Sequence, residues 1–162
     1  MKILMAYYTP EEGDALIASR LQEKLSCRSE EIMTAVKFTR LKELWHKATG
    51  TKPEIIPTFN NPGSYDLTVI CFSKYSPRLP LPVAAYIQKQ RERLKNSFYL
   101  AISGTLNEDS KGLEEYIRLA GEYPVGMAEL SRQEPLLSQK VDELAGRINE
   151  FSNLKENFPK NN

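Results

Sequence analysis

The sequence predicts one α/β domain built on a parallel sheet with helices on both faces. Three observations carry that prediction. Five short apolar runs of strand length alternate with five stretches of helical periodicity. The run Leu67-Thr68-Val69-Ile70-Cys71-Phe72 is unbroken, as in a strand buried on both sides. No internal repeat or linker divides the 162 residues, a length that supports one sizeable core.

The elements follow in order. Residues 2–8 form a short apolar strand, and residues 9–14 form a loop. From Ala15 the period changes, and Leu16, Ile17, Leu21 and Leu25 mark one helical face. The first helix starts at Glu11 or Glu12, with Thr9 as N-cap and Pro10 at the first helical position. Glu11, Glu12 and Asp14 then complement the dipole of the first turn. Residues 30–36 read as the second strand. Residues 38–48 read as a helix, with Leu41, Leu44, Trp45 and Ala48 at i, i+3, i+4 and i+7. His46 points off that stripe, and Trp45 belongs to the core or to a lid.

Breakers fill residues 50–64. The third strand, 67–72, leads into a proline-rich loop at 73–82 and a helix at 83–94. Residues 98–103 form the fourth strand and 113–119 the next helix, closed by Gly121 as a C′ residue. Residues 124–130 form the fifth strand. The last helix spans 137–151, with Val141, Leu144, Ile148 and Phe151 inward. Residues 1–154 make the single domain, and residues 155–162 are a polar tail.

Composition narrows the function. A formal net charge of +1 supplies no bulk field for nucleic acid or an acidic membrane. The apolar runs are too short to span a bilayer. The chain enters a strand at once with no cleavage pattern, which predicts a cytoplasmic protein. Two cysteines, Cys27 and Cys71, and one histidine make no zinc pattern. A strand entering a helix N-terminus remains the outstanding feature, because free amides there suit an anion.

Three stretches resemble the flavodoxin family. MKILMAYYTPEEGDALIASRL stands in the place of the family's first strand, phosphate loop and first helix. LKELWHKATGTKPEIIP is similar to the segment of flavodoxin-like proteins that carry an extra helix before the third strand. YDLTVICFSKYSPRLPLPVAAYI has the family's strand led by tyrosine and aspartate, then an aromatic, then arginine-x-proline. Ser103-Gly104-Thr105 falls where the family's third loop begins.

The resemblance implies a three-layer α/β/α sandwich with a five-stranded sheet in the order 2-1-3-4-5. It implies FMN at the switch point between the first and third strands. The loops at 9–14, 73–78 and 104–109 would line that crevice. Thr9, Pro10, Glu11, Glu12, Gly13 and Asp14 would lie at the phosphate. Ser73, Lys74, Tyr75 and Arg78 would form the second loop, with Tyr75 against the isoalloxazine. Ser103, Gly104 and Thr105 would meet the ring edge. The implied activity is electron transfer or quinone-reductase-type chemistry, with a redox partner protein or a small quinone-like acceptor. No residue is assigned a catalytic role.

The phosphate loop departs from the family form hydroxyl–x–Thr–Gly–x–hydroxyl. Thr9 matches the first hydroxyl, but Glu11, Glu12 and Asp14 stand at the other three positions. Each carboxylate beside a phosphate dianion costs roughly one to a few kcal/mol in a partly solvated loop. Three of them together amount to about 10³-fold in affinity. Carboxylates turned to solvent would escape that cost. The alternative function is a flavodoxin-like domain without FMN, acting as a binding or regulatory module. A third reading, with no metal site assigned, is that the three acids bind Mg²⁺ or Ca²⁺.

Overall fold

The computed structural model describes residues 2–36, 39–104 and 111–154 of the chain. The first apolar run becomes β1 (Ile3–Tyr8), which pairs in parallel with β3 (Leu67–Lys74), from Ile3 beside Leu67 to Tyr8 beside Phe72. β2 (Arg28–Glu31) flanks β1 on its other side. β4 (Ser97–Ser103) and β5 (Gly126–Ser131) extend the sheet beyond β3. All four pairings are parallel, and the order is β2-β1-β3-β4-β5, as the resemblance implies.

β3 and β4 are buried along nearly their whole length, so both faces of the sheet need cover. α1 (Glu12–Leu25) and α5 (Leu137–Leu154) cover one face. There Met5, Val69, Cys71, Leu100 and Ile102 meet Ile17, Leu21, Val141, Leu144 and Ile148. α3 (Leu81–Gln90) and α4 (Lys111–Ala120) cover the other face. There Ile70, Phe72, Tyr99 and Ala101 meet Val83, Tyr86, Ile87 and Tyr116. Successive strand residues alternate between the two cores, as the pleat demands. Each fully buried large aliphatic or aromatic residue contributes about 1.5–3 kcal/mol. Tyr99 ties strand to helix in the second core, edge-on to Phe72 at 5.2 Å and to Tyr116 at 5.5 Å between ring centres.

Helix ends follow local chemistry. α4 stops at Gly121, whose φ is 84° and whose N–H returns to the Ile117 carbonyl at 2.8 Å. The loop before β3 is pinned by Glu30, which accepts from the Asn60 side-chain amide at 2.8 Å and from the Tyr86 hydroxyl at 3.1 Å. No helix among the described residues is long and apolar enough to cross a membrane. Thr105 and the 155–162 tail lie outside the described residues.

Three expectations need correction. β2 is four residues long and ends at Glu31 rather than running over 30–36. β1 ends one residue after its partner to Glu31, so no strand remains for the chain to pair with. Thr34 instead makes an isolated antiparallel bridge to Ile55. Leu16 is exposed, because the buried stripe of α1 runs through Asp14, Ile17, Ala18, Leu21 and Leu25.

The third correction concerns α2 (Arg40–Thr49), which starts behind Thr39, whose hydroxyl accepts the Lys42 N–H at 3.3 Å. Its apolar stripe faces solvent: Leu41, Leu44 and Trp45 are 77%, 65% and 61% exposed. α3 and α4 already fill the second core, and none of the described side chains of α2 joins either core. Periodicity marks a stripe but not what covers it.

This arrangement separates two substitutions that look alike in sequence. Leu21→Ala should cost about 2–5 kcal/mol by urea unfolding, because it opens a cavity in the first core. Leu44→Gln should stay within about 0.5 kcal/mol of wild type.

Candidate functional site

Strand order reverses between β1 and β3, so the helices that follow them leave on opposite faces. That divergence opens a crevice above the C-terminal ends of the two strands. Some of the residues predicted for the site gather there from β1, β3 and β4, whereas Lys74 and Arg78 are directed elsewhere.

The first loop is short. β1 stops at Tyr8, Thr9 is half-buried and Pro10 is exposed. Thr9 is not the cap. Proline biases the residue before it toward extended backbone, and the helix starts two residues later than Pro10. The N-cap is Glu11, extended at φ −92° and ψ 130°, with no side-chain capping bond. Its carbonyl accepts the Asp14 and Ala15 N–H groups, each at 3.0 Å. The amides of Glu12 and Gly13 lie in the first turn, where no carbonyl of the helix can reach them. This is the cradle an anion would use.

The three acids of the loop part company here. Glu12 is exposed and Glu11 half-buried. Asp14 is only 1% exposed, because it heads the same buried stripe as Ile17 and Ala18. A buried carboxylate requires a partner, and Arg132 supplies it. Arg132 follows β5 directly, and its N–H donates to the Ser103 carbonyl at 2.9 Å. Its side chain passes Gly104 and Gly13 toward α1, placing Nε 3.1 Å from Asp14 Oδ1. The contact is an ion pair rather than an aligned hydrogen bond.

Two glycines border the path of that arginine, and Gly104 makes room for it. A Cβ on Gly13 would stand 3.4 Å from Arg132 Cδ, and one on Gly104 would stand 3.1 Å from Arg132 Nη2. Burial pushes the Asp14 carboxyl above its ordinary range, the neighbouring Ser73 hydroxyl and Arg132 guanidinium pull it back, and Glu11 adds to the rise. The Arg132 guanidinium stands against the Asp14 carboxylate, so the acid is paired within the fold.

Ser73 and Lys74, expected in the loop, are the last residues of β3. They point to opposite faces. Ser73 is buried beside Asp14, and its Oγ has no hydrogen-bond partner among the described residues. Ser103 Oγ, at the end of β4, is buried and unpartnered in the same way. Lys74 turns to the other face and crosses to Glu129 on β5 at 3.0 Å. Tyr75 stands half-buried on the following loop. Arg78 is exposed and lines a separate cleft of about 410 Å³ with Lys111, Glu114, Glu115 and Arg118. Among the described residues no group of three or more His, Cys, Asp or Glu could hold a metal ion. Glu12 outside and Asp14 beneath the turn do not converge on one point, so the expected Mg²⁺ or Ca²⁺ ligand set does not form.

Arg132 is the residue that sequence reasoning missed. Two signals were present: Asp14 falls on the buried stripe of α1, and a cation stands just past the fifth strand.

Neither a family model nor a curated protein matches the sequence. Solved structures do match. A candidate flavoprotein from Bacteroides eggerthii superposes with a TM-score of 0.72 at 18% identity, covering 91% of this chain and 98% of that one. A flavoprotein in complex with FMN from Lactobacillus acidophilus gives a TM-score of 0.67 at 18% identity, covering 79% and 92%. Oxidised flavodoxin 2 from Bacillus cereus gives 0.55 at 18% identity, covering 93% and 99%. The fold is flavodoxin-like. At these identities the likeness is one of architecture, and the flavodoxin-like crevice here has its own residues.

The buried acid sets a pH dependence. The folded-state pKa of Asp14 lies above its ordinary value of 3.8, so the folded protein holds that proton more tightly than the unfolded chain. Stability from this group is therefore present at low pH and is lost as pH rises through that window. Asp14→Asn should abolish this loss, so its stability relative to wild type should rise as pH increases above about 4 in urea titrations.

Proposed function

We propose that this chain is a flavin-binding redox protein that takes FMN in the crevice between β1 and β3. The observation that carries the reading is the uncapped N-terminus of α1, opening at the strand-order switch point beside buried, unpartnered Ser73. Solved proteins of the same fold support it, among them one solved with FMN and one described as a quinone reductase.

The residues present fit the group. The exposed Glu12 carboxylate leaves the cradle to the backbone, and the Asp14 charge is met by Arg132. The Glu12 and Gly13 amides with Thr9 would hold the phosphate, and Tyr75 would lie against the ring. Gly104 would meet the ring edge. When bound, FMN supplies one- and two-electron transfer, and the protein binds, orients and shields it. A redox partner protein or a small quinone-like acceptor would approach the open edge of the crevice. Both free cysteines, Cys27 and Cys71, accord with the reducing cytoplasm.

A second reading has one observation in its favour. Asp14 stands where the family places a hydroxyl, and its ion pair with Arg132 is complete without a ligand. A domain of this kind could serve as a binding or regulatory module without flavin.

Colour and fluorescence separate the two. The purified protein, or the protein given FMN, should show flavin absorbance and quench FMN fluorescence with one-to-one stoichiometry. A colourless protein that leaves FMN fluorescence unchanged would sink the redox reading and leave the second.

A further inference from the structure

We infer that Arg132 is the cationic half of the anion site in this crevice, gripping the ligand's phosphate against the first turn of α1. The inference deepens the FMN reading and rests on it for the identity of the ligand. Its chemical content is a phosphomonoester dianion held by a guanidinium and backbone amides instead of by loop hydroxyls.

Four observations lead to Arg132. The first loop keeps one of the family's hydroxyls, Thr9, so the side chains of the loop neutralise nothing. Arg132 arrives from the far strand of the sheet and stops at that loop. The route leaves space for it at Gly104, where a Cβ would stand 3.1 Å from Nη2. Its base is fixed by the Ser103 carbonyl and its Nε by Asp14.

The guanidinium is also presented outward. Asp14 takes the Nε side, while Nη2 lies over Gly104, at the crevice. The Arg132 side chain is 37% exposed, against 1% for Asp14, so a ligand can reach the arginine but not the acid. A guanidinium is a fork with five N–H donors, and engaging Nε leaves a pair of nitrogens to meet phosphate oxygens. The buried Ser73 hydroxyl lies beside Asp14. Asp14 is thus a positioning residue. It holds the arginine in one rotamer in the empty site, so less side-chain entropy is lost when the phosphate arrives.

Titrations of FMN, riboflavin and inorganic phosphate test the assignment. Wild type should prefer FMN over riboflavin. Arg132→Gln should weaken FMN by about tenfold or more, the worth of one charge-assisted hydrogen bond, and change riboflavin less than about twofold. That variant strands a buried carboxylate, so Asp14→Asn combined with Arg132→Gln is the control for folding. It should show the same selective loss. Asp14→Asn alone keeps the guanidinium but releases its rotamer, so it should retain the preference for FMN over riboflavin that Arg132→Gln loses.

Arg132→Gln binding FMN like wild type, or losing both flavins equally in the double variant, would overturn the assignment and leave Arg132 a purely structural counterion. The two proposals can fail separately. If wild type binds neither flavin but broadens the ³¹P signal of phosphate in an Arg132-dependent way, the anion site stands and the flavin reading falls. If wild type binds FMN and riboflavin alike and leaves the phosphate signal unchanged, the anion site falls and the flavin reading stands.

Discussion

Two neighbouring strands with no polar face set the terms for this molecule. β3 and β4 are apolar toward both sides of the sheet, so neither side can be left to water. Helices must lie on both faces, and in a parallel sheet they come as the crossovers between strands. With β1 beside β3, the crossover after β1 and the crossover after β3 have to part. The crevice is the gap left by that parting. It follows from covering the sheet and needs no residue chosen for function.

What distinguishes this crevice is a buried charge. Asp14 occupies the first inward position of α1, where an apolar residue would have extended the stripe. Taking a carboxylate out of water costs several kcal/mol, and an opposite charge with good geometry offsets that. The offset comes from the opposite end of the sheet, because Arg132 is held at the edge of β5 by the Ser103 carbonyl and reaches back to α1. Gly104, with no Cβ, leaves the path open. One ion pair thus links the β1–α1 loop, the β4 loop and the end of β5.

The periphery obeys weaker constraints. β2 pairs on one side only and stops where β1 stops. α2, next in the chain, is capped well by Thr39 and closed by Gly50 at φ 67°, yet it keeps Leu41, Leu44 and Trp45 in solvent. Its local sequence is sufficient to form the helix, and the cores have no room to receive it. Lys74 shows the opposite case. It reads as a loop residue beside Tyr75, but the pleat turns it inward and Glu129 holds it there.

The sequence by itself determined the sheet, the alternation of elements, the four helices that cover the cores and the helix N-terminus at the first loop. Those are consequences of apolar spacing and of short-range turn chemistry, which act between residues near one another in the chain. It also determined that acids, not hydroxyls, fill the phosphate loop. Only the tertiary structure decided what those acids mean. Glu12 faces water and Asp14 faces Arg132, a partner 118 positions further on (132 minus 14). No local pattern encodes such a pairing, because it depends on the strand order and on the side to which each strand end points. The same reason explains α2: a stripe is a property of one helix, whereas its burial is a property of the neighbours. The charge of the crevice was therefore beyond reach until the fifth strand had been placed.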